Sequence, residues 1–198
     1  MSVTAQPTPP HSSPPARQPP SPTTLGVGVV VWLASELMFF AGLFAAYFTL
    51  RGINDPWPPE GVELETLRTA AATLVLLSSS GTMHVAVGAA GRDDRRGAVR
   101  WLAITALLGA VFLSNQVAEY AEAPFSLGDH AYGSIFYLLT GFHGLHVLGG
   151  LVFIGAVAVA IAGRSRAPAH ETVEVCGYYW HFVDVVWIAL FATVYLLR

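Results

Sequence analysis

The residues of this chain that could do chemistry sit among apolar neighbours. In Trp32-Leu33-Ala34-Ser35-Glu36-Leu37-Met38-Phe39-Phe40 a carboxylate stands inside a run otherwise fit for hydrocarbon. A charge at the centre of a bilayer costs at least about 2.5 kcal/mol, so Glu36 must be protonated, hydrogen-bonded, or turned toward protein or water. Glu36 is therefore a candidate proton-accepting site, and the plain alternative is a neutral packing residue. Ser35 and Thr49 carry less weight, because a hydroxyl can bond its own helix backbone.

Three further stretches pair polar residues at helical spacing. Gln116, Glu119 and Tyr120 lie three and four residues apart and so share a helix face, which could also be a wetted rim. His143 and His146 fall on adjacent turns, with Gly141 and Gly144 beside them to admit a second helix closely. Two imidazoles so placed could bind a metal, or donate to neighbouring helices, lipid headgroups or carboxylates. His181 and Asp184 repeat the spacing, and at membrane depth a neutral or shared-proton pair is expected. With His84, four histidines stand at membrane depth, which raises the alternative of a b-type cytochrome. Ligands one turn apart cannot take opposite faces of one haem, so His143 and His146 would need separate partners.

The elements that position these residues follow from composition. The chain has 198 residues, 54% hydrophobic and only 12% charged, about half the charged share of a soluble domain. A spanning helix needs roughly 20 mostly apolar residues, and five segments qualify: 26–50, 67–90, 98–121, 131–162 and 172–197. The fold expected is an all-α integral membrane bundle of five helices. Residues 1–24 are rich in Pro, Ser and Thr and read as a disordered tail. The single Cys176 forms no internal disulfide and no metal framework. Internal repeats with broken helices, which would suggest a transporter, are not evident.

Orientation follows the positive-inside bias. Lys is absent; Arg92, Arg95, Arg96 and Arg100 fill the second connection, and Arg164 and Arg166 the fourth, so both should face the cytoplasm together with the N-terminal tail and its Arg17. The first connection, with Asp55, Glu60, Glu63, Glu65 and the stiff Pro56-Trp57-Pro58-Pro59, and the third, with Glu122 and Asp129, read as external. Arg198 then lies outside, against the trend. Trp57, Trp101, Tyr120 and Tyr132 stand near span ends, where amphipathic rings anchor at the interface.

Four of these motifs, WLASELMFF (32–40), QVAEY (116–120), YLLTGFHGLHV (137–147) and YWHFVDVVW (179–187), resemble the subunit III family of haem–copper cytochrome c oxidases, in order and on the matching spans. The likeness runs from about Leu25 to Arg198 and is to the shorter five-helix bacterial form, which lacks the first two of seven spans. It implies a non-redox, non-catalytic subunit of a proton-translocating aa3-type oxidase in the bacterial plasma membrane. That subunit packs on subunit I, with subunit II also in the complex, binds phospholipid, and supports proton uptake and turnover stability in aerobic respiration. Haem a, haem a3 and copper would belong to the partner subunits, with none in this chain. Glu36 matches the family's membrane-buried, carbodiimide-reactive glutamate. Gln116, Glu119, Tyr120, His143, His146, His181 and Asp184 match motif positions, and their expected role is polar packing and lipid-headgroup binding. A quinol oxidase subunit or a nitric oxide reductase accessory protein is the near alternative, since the electron-donor site lies elsewhere. Supercomplex partners are compatible with this reading.

Overall fold

A computed structural model describes residues 24–62, 64–163 and 168–197; Arg17, Glu63, Arg164, Arg166, Arg198 and the tail through residue 23 lie outside the described residues. It contains five helices: α1 (Thr24–Ile53), α2 (Thr66–Gly91), α3 (Arg95–Glu122), α4 (Ala131–Ala162) and α5 (Ala169–Phe191). A π turn, Ala192–Leu196, continues α5. All five are long and apolar enough to cross a membrane. Thr24, expected in the tail, opens α1 instead.

Local chemistry sets where the helices begin. Asp93 takes a positive φ of 56°, which an aspartate tolerates, and Asp94 then accepts the Gly97 N–H at 2.9 Å. This cap starts α3 at Arg95, upstream of the expected Ala98. His130 caps α4 in the same way, its Nδ1 accepting the Gly133 N–H at 2.8 Å. α5 starts at Ala169, after Pro168, three residues before the apolar run suggested.

Helices α2, α3, α4 and α5 pack in a ring, each against its two neighbours, and α1 lies outside it on the edge formed by α4 and α5. Two tryptophans of α5 fill the centre. Trp180 and Trp187 are fully buried, and their indole N–H groups donate to Ser79 and Thr73 of α2, each at 2.8 Å. Hydrocarbon offers an indole N–H no acceptor, so these two bonds decide how α5 is rotated against α2. The Trp180 ring needs room on two sides. A Cβ at Gly109 would lie 2.5 Å from it, and one at Gly150 2.8 Å, so α3 and α4 both yield a side chain to admit it.

The first connection folds inward over one end of the bundle. Trp57 meets the rings of Tyr47 and Tyr132 edge-on at 5.4 and 5.1 Å and donates its N–H to the Tyr47 hydroxyl at 3.1 Å. That hydroxyl donates to the Thr193 carbonyl at 3.2 Å. At that end of the bundle Trp57 and Tyr132 tie the loop to α1, α4 and the end of α5. Asp55-Pro56 and Trp57-Pro58 are cis. In the third connection, Asp129 accepts both the N–H and the hydroxyl of Ser126 at 2.7 Å.

Two outcomes follow from this packing. Gly150→Leu should displace Trp180 and destabilise the chain by about 1–3 kcal/mol, the usual cost of overpacking, seen as a lowered unfolding temperature in detergent. The Ser126 bonds hold the Asp129 carboxyl below its usual range. Because the folded-state value is depressed, the turn's support is present above the ordinary aspartate range and fades as pH falls through the lowered value. Hydrogen exchange at the Ser126 amide should accordingly gain protection as pH rises through the carboxylate range, after correction for intrinsic rates, and Asp129→Asn should flatten that profile.

Candidate functional site

At mid-depth on the outer edge, α1 meets α4 through one polar contact. Glu36 Oε2 lies 3.2 Å from His146 Nε2, and His146 Nδ1 lies 2.7 Å from the Phe142 carbonyl. A carbonyl can only accept, so Nδ1 carries a hydrogen. A neutral imidazole then turns a lone pair toward Glu36, and the contact requires one shared proton: a carboxylic acid donating to Nε2, or an imidazolium donating to a carboxylate. Both arrangements are neutral overall, which suits hydrocarbon. Neither side chain is sealed, with exposures of 25% for Glu36 and 17% for His146. Phe40 stands edge-on to the imidazole at 5.0 Å, and the Tyr179 hydroxyl donates to the His146 carbonyl at 2.8 Å. Tyr179 in turn stacks on Trp32 at 5.4 Å. The pair can therefore hold and exchange one proton at a position fixed by aromatic packing.

His181 and Asp184 are joined through a third residue. Ser80 of α2 has its Oγ 2.8 Å from His181 Nδ1 and donates to Asp184 Oδ2. The other Asp184 oxygen, buried, has no hydrogen-bond partner among the described residues. Near the end of α3, buried Glu119 collects three donors: the Thr69 hydroxyl at 3.2 Å, the Gln116 amide at 3.1 Å and the Tyr195 hydroxyl at 2.8 Å. Arg68 and Glu122 form an ion pair beside it at the rim. The π turn carries Tyr195, so the irregular end of α5 places a donor on the buried acid.

The expected faces divide in two places. Gln116 and Glu119 stay together, but Tyr120 turns to α4, where its hydroxyl lies 2.7 Å from that of Thr140. His143 parts from His146: its ring is buried between Trp187 at 4.9 Å and Phe112 at 6.0 Å, and neither nitrogen has a hydrogen-bond partner among the described residues. Those residues hold no group of three or more His, Cys, Asp or Glu side chains able to surround a metal ion. Sequence reasoning missed the partners, namely Thr69, Thr73, Ser79, Ser80, Tyr179 and Tyr195. The signal available was Ser78-Ser79-Ser80, three hydroxyls in succession within an apolar span.

A family model described as cytochrome c oxidase subunit III matches residues 18–198. The chain is 48% identical over 182 residues to a protein of Mycobacterium tuberculosis named probable cytochrome c oxidase subunit 3, covering 89% of this chain and 90% of that one. A Nocardia farcinica protein of the same name is 47% identical with the same coverage. The cytochrome c oxidase subunit 3 of Thermostichus vulcanus is 45% identical over 177 residues, 86% of each chain.

Tyr195→Phe should remove one donor from the buried Glu119 and lower stability by about 1–3 kcal/mol. Thr69→Val should cost a similar amount. Their double variant should lose measurably less or more than the sum, because both act on one carboxyl; thermal unfolding of the four forms in one detergent measures this coupling.

Proposed function

The chain belongs to the cytochrome c oxidase subunit III family, and from that premise we propose that it is the non-redox subunit III of an aa3-type oxidase. In this reading it packs on subunit I, binds phospholipid and sustains proton uptake and turnover stability. Haem a, haem a3 and copper reside in the partner subunits I and II. Cytochrome c is taken as the electron donor because the relatives' printed names specify it. The chain lies in the bacterial plasma membrane with its N-terminus cytoplasmic and its C-terminus external.

The observation that carries the proposal is the Glu36–His146 contact. A pair that shares one proton, held at mid-depth and reachable from one side, is neutral with that proton in place and can give it up and take it back, carrying a net charge only in the interval. Such a pair buffers protons for a path in a neighbouring subunit and contributes no electron carrier. Gln116, Glu119, His143 and Asp184 are buried between helices, which favours the packing half of their expected role. His146 and His181, partly exposed, retain contact with the surroundings of the bundle.

A complex isolated gently through a tag on this chain should contain subunit I, haem a and copper in fixed ratio. Recovery of the chain alone, with neither haem nor copper, would refute the assignment. In that complex Glu36→Ala should leave haem content intact and shorten the enzyme's lifetime during turnover severalfold. A lifetime equal to the parent's would remove the functional role of Glu36 and leave it as a packing residue.

A further inference from the structure

Two of the carboxyls among the described residues are buried between helices, and the bundle treats them differently. Glu119 collects three donors and stands beside Arg68, so its charge has partners. Asp184, 3% exposed, receives only the Ser80 hydroxyl, at Oδ2. Its Oδ1 is buried without a donor, and none of the described residues forms an ion pair with it. The residue lies about 22 Å along α5 from Ala169, near the middle of a span that runs to Leu196. A carboxylate with one donor at that depth is costly, and taking up a proton removes the cost.

A route for that proton is built beside it. Ser78 and Ser79 bond carbonyls of their own helix, but Ser80 Oγ lies between Asp184 Oδ2 and His181 Nδ1, 2.8 Å from the imidazole. His181 is half-buried, and its Nε2 has no hydrogen-bond partner among the described residues. Before a proton is added, Nδ1–H donates to Ser80, Ser80 donates to the carboxylate, and Nε2 keeps a lone pair. A proton delivered by water to Nε2 makes an imidazolium. The Nδ1 proton then passes to Ser80 Oγ as the hydroxyl's own proton passes to Oδ2. What remains is a carboxylic acid donating to Ser80, Ser80 donating to Nδ1, and an imidazole with its hydrogen at Nε2. Only N–H and O–H bonds have formed and broken, and the triad is neutral.

We propose that Asp184, Ser80 and His181 form a second proton-holding site, loaded at His181 Nε2 and storing its proton as a neutral carboxyl on Asp184. The site is separate from the Glu36–His146 pair and does not depend on the reading of this chain as an oxidase subunit. In that pair acid and imidazole meet directly, whereas here a hydroxyl stands between them and the proton lodges in the interior. The other ionisable side chains at this depth on the helices packed against α5 are His84, one turn beyond Ser80 on α2, Glu36 of α1, and His143 and His146 of α4. None of them bonds the triad.

Infrared spectroscopy of the full-length chain reconstituted in lipid tests this. At neutral pH, well above the ordinary aspartate value of about 3.9, the parent should show a carboxylic acid carbonyl band that Asp184→Asn removes, Asp184→Glu shifts and Glu36→Gln leaves in place. Transfer to heavy water displaces that band as the acid exchanges its proton, and the rate of displacement reads the relay. Ser80→Ala and His181→Leu should each slow it by about tenfold or more, as if roughly 1.4 kcal/mol were added to the barrier. Ser80→Thr keeps the hydroxyl and should keep the rate. Ser78→Ala, which removes a hydroxyl bonded to its own helix, should leave the rate at the parent value. This second measurement leaves Asp184 itself intact. A carboxylic acid signal unchanged by Asp184→Asn, or exchange as fast in Ser80→Ala as in the parent, would overturn the proposal.

Discussion

Hydrocarbon supplies no hydrogen bonds, and every polar atom that enters this bundle depends on a neighbouring helix or on its own backbone. Lone hydroxyls on Ser35, Thr49 and Ser114 fold back onto the carbonyl four residues earlier, which stabilises nothing beyond their own helix. Five hydroxyls of α2 behave differently. Thr69, Thr73, Ser79, Ser80 and Thr82 each reach a side chain on α3 or α5. Interhelical bonds of this kind contribute about 0.6–2 kcal/mol each in a membrane. Their larger effect is to select one rotation of each helix, since apolar packing alone is tolerant of rotation.

That selection has consequences for function. Once Trp180 and Trp187 are fixed by α2, the rest of α5 has no freedom left: Tyr179 must point to α4, and His181 and Asp184 must point to Ser80. Tyr179 then bonds the carbonyl of His146, the residue that meets Glu36. The proton-sharing pair on the outer edge is thus connected to the core through one tyrosine. α1 joins α4 and α5 without entering the ring, so its position depends on few contacts, among them the pair itself and the Tyr47–Thr193 bond at the other end of the bundle. A helix attached so lightly at mid-depth is consistent with the proton-exchanging role proposed above for Glu36.

The membrane class, the five spans and the depth of each polar residue were legible in the chain alone, because hydropathy and spacing are local properties and hydrocarbon enforces them strongly. Glu36, His146, His181 and Asp184 could be singled out for the same reason. Their partners could not. Helical spacing puts His143 and His146 on neighbouring turns, yet one step of three residues turns a side chain by most of a right angle, enough to send His143 into the aromatic core and His146 to α1. Tyr120 follows Glu119 directly, and the turn of about 100° between consecutive helical residues sends it to α4 instead.

The sequence by itself determined which residues enter the membrane and which of them hydrocarbon would penalise, since both depend only on residue type and run length. Only the tertiary structure decided that Glu36 meets His146, that Ser80 stands between His181 and Asp184, and that Glu119 is held by Thr69, Gln116 and Tyr195. Each of these partnerships joins residues far apart in the chain. The rotation of whole helices creates them, and that rotation is a property of the packed bundle which no local stretch of sequence contains.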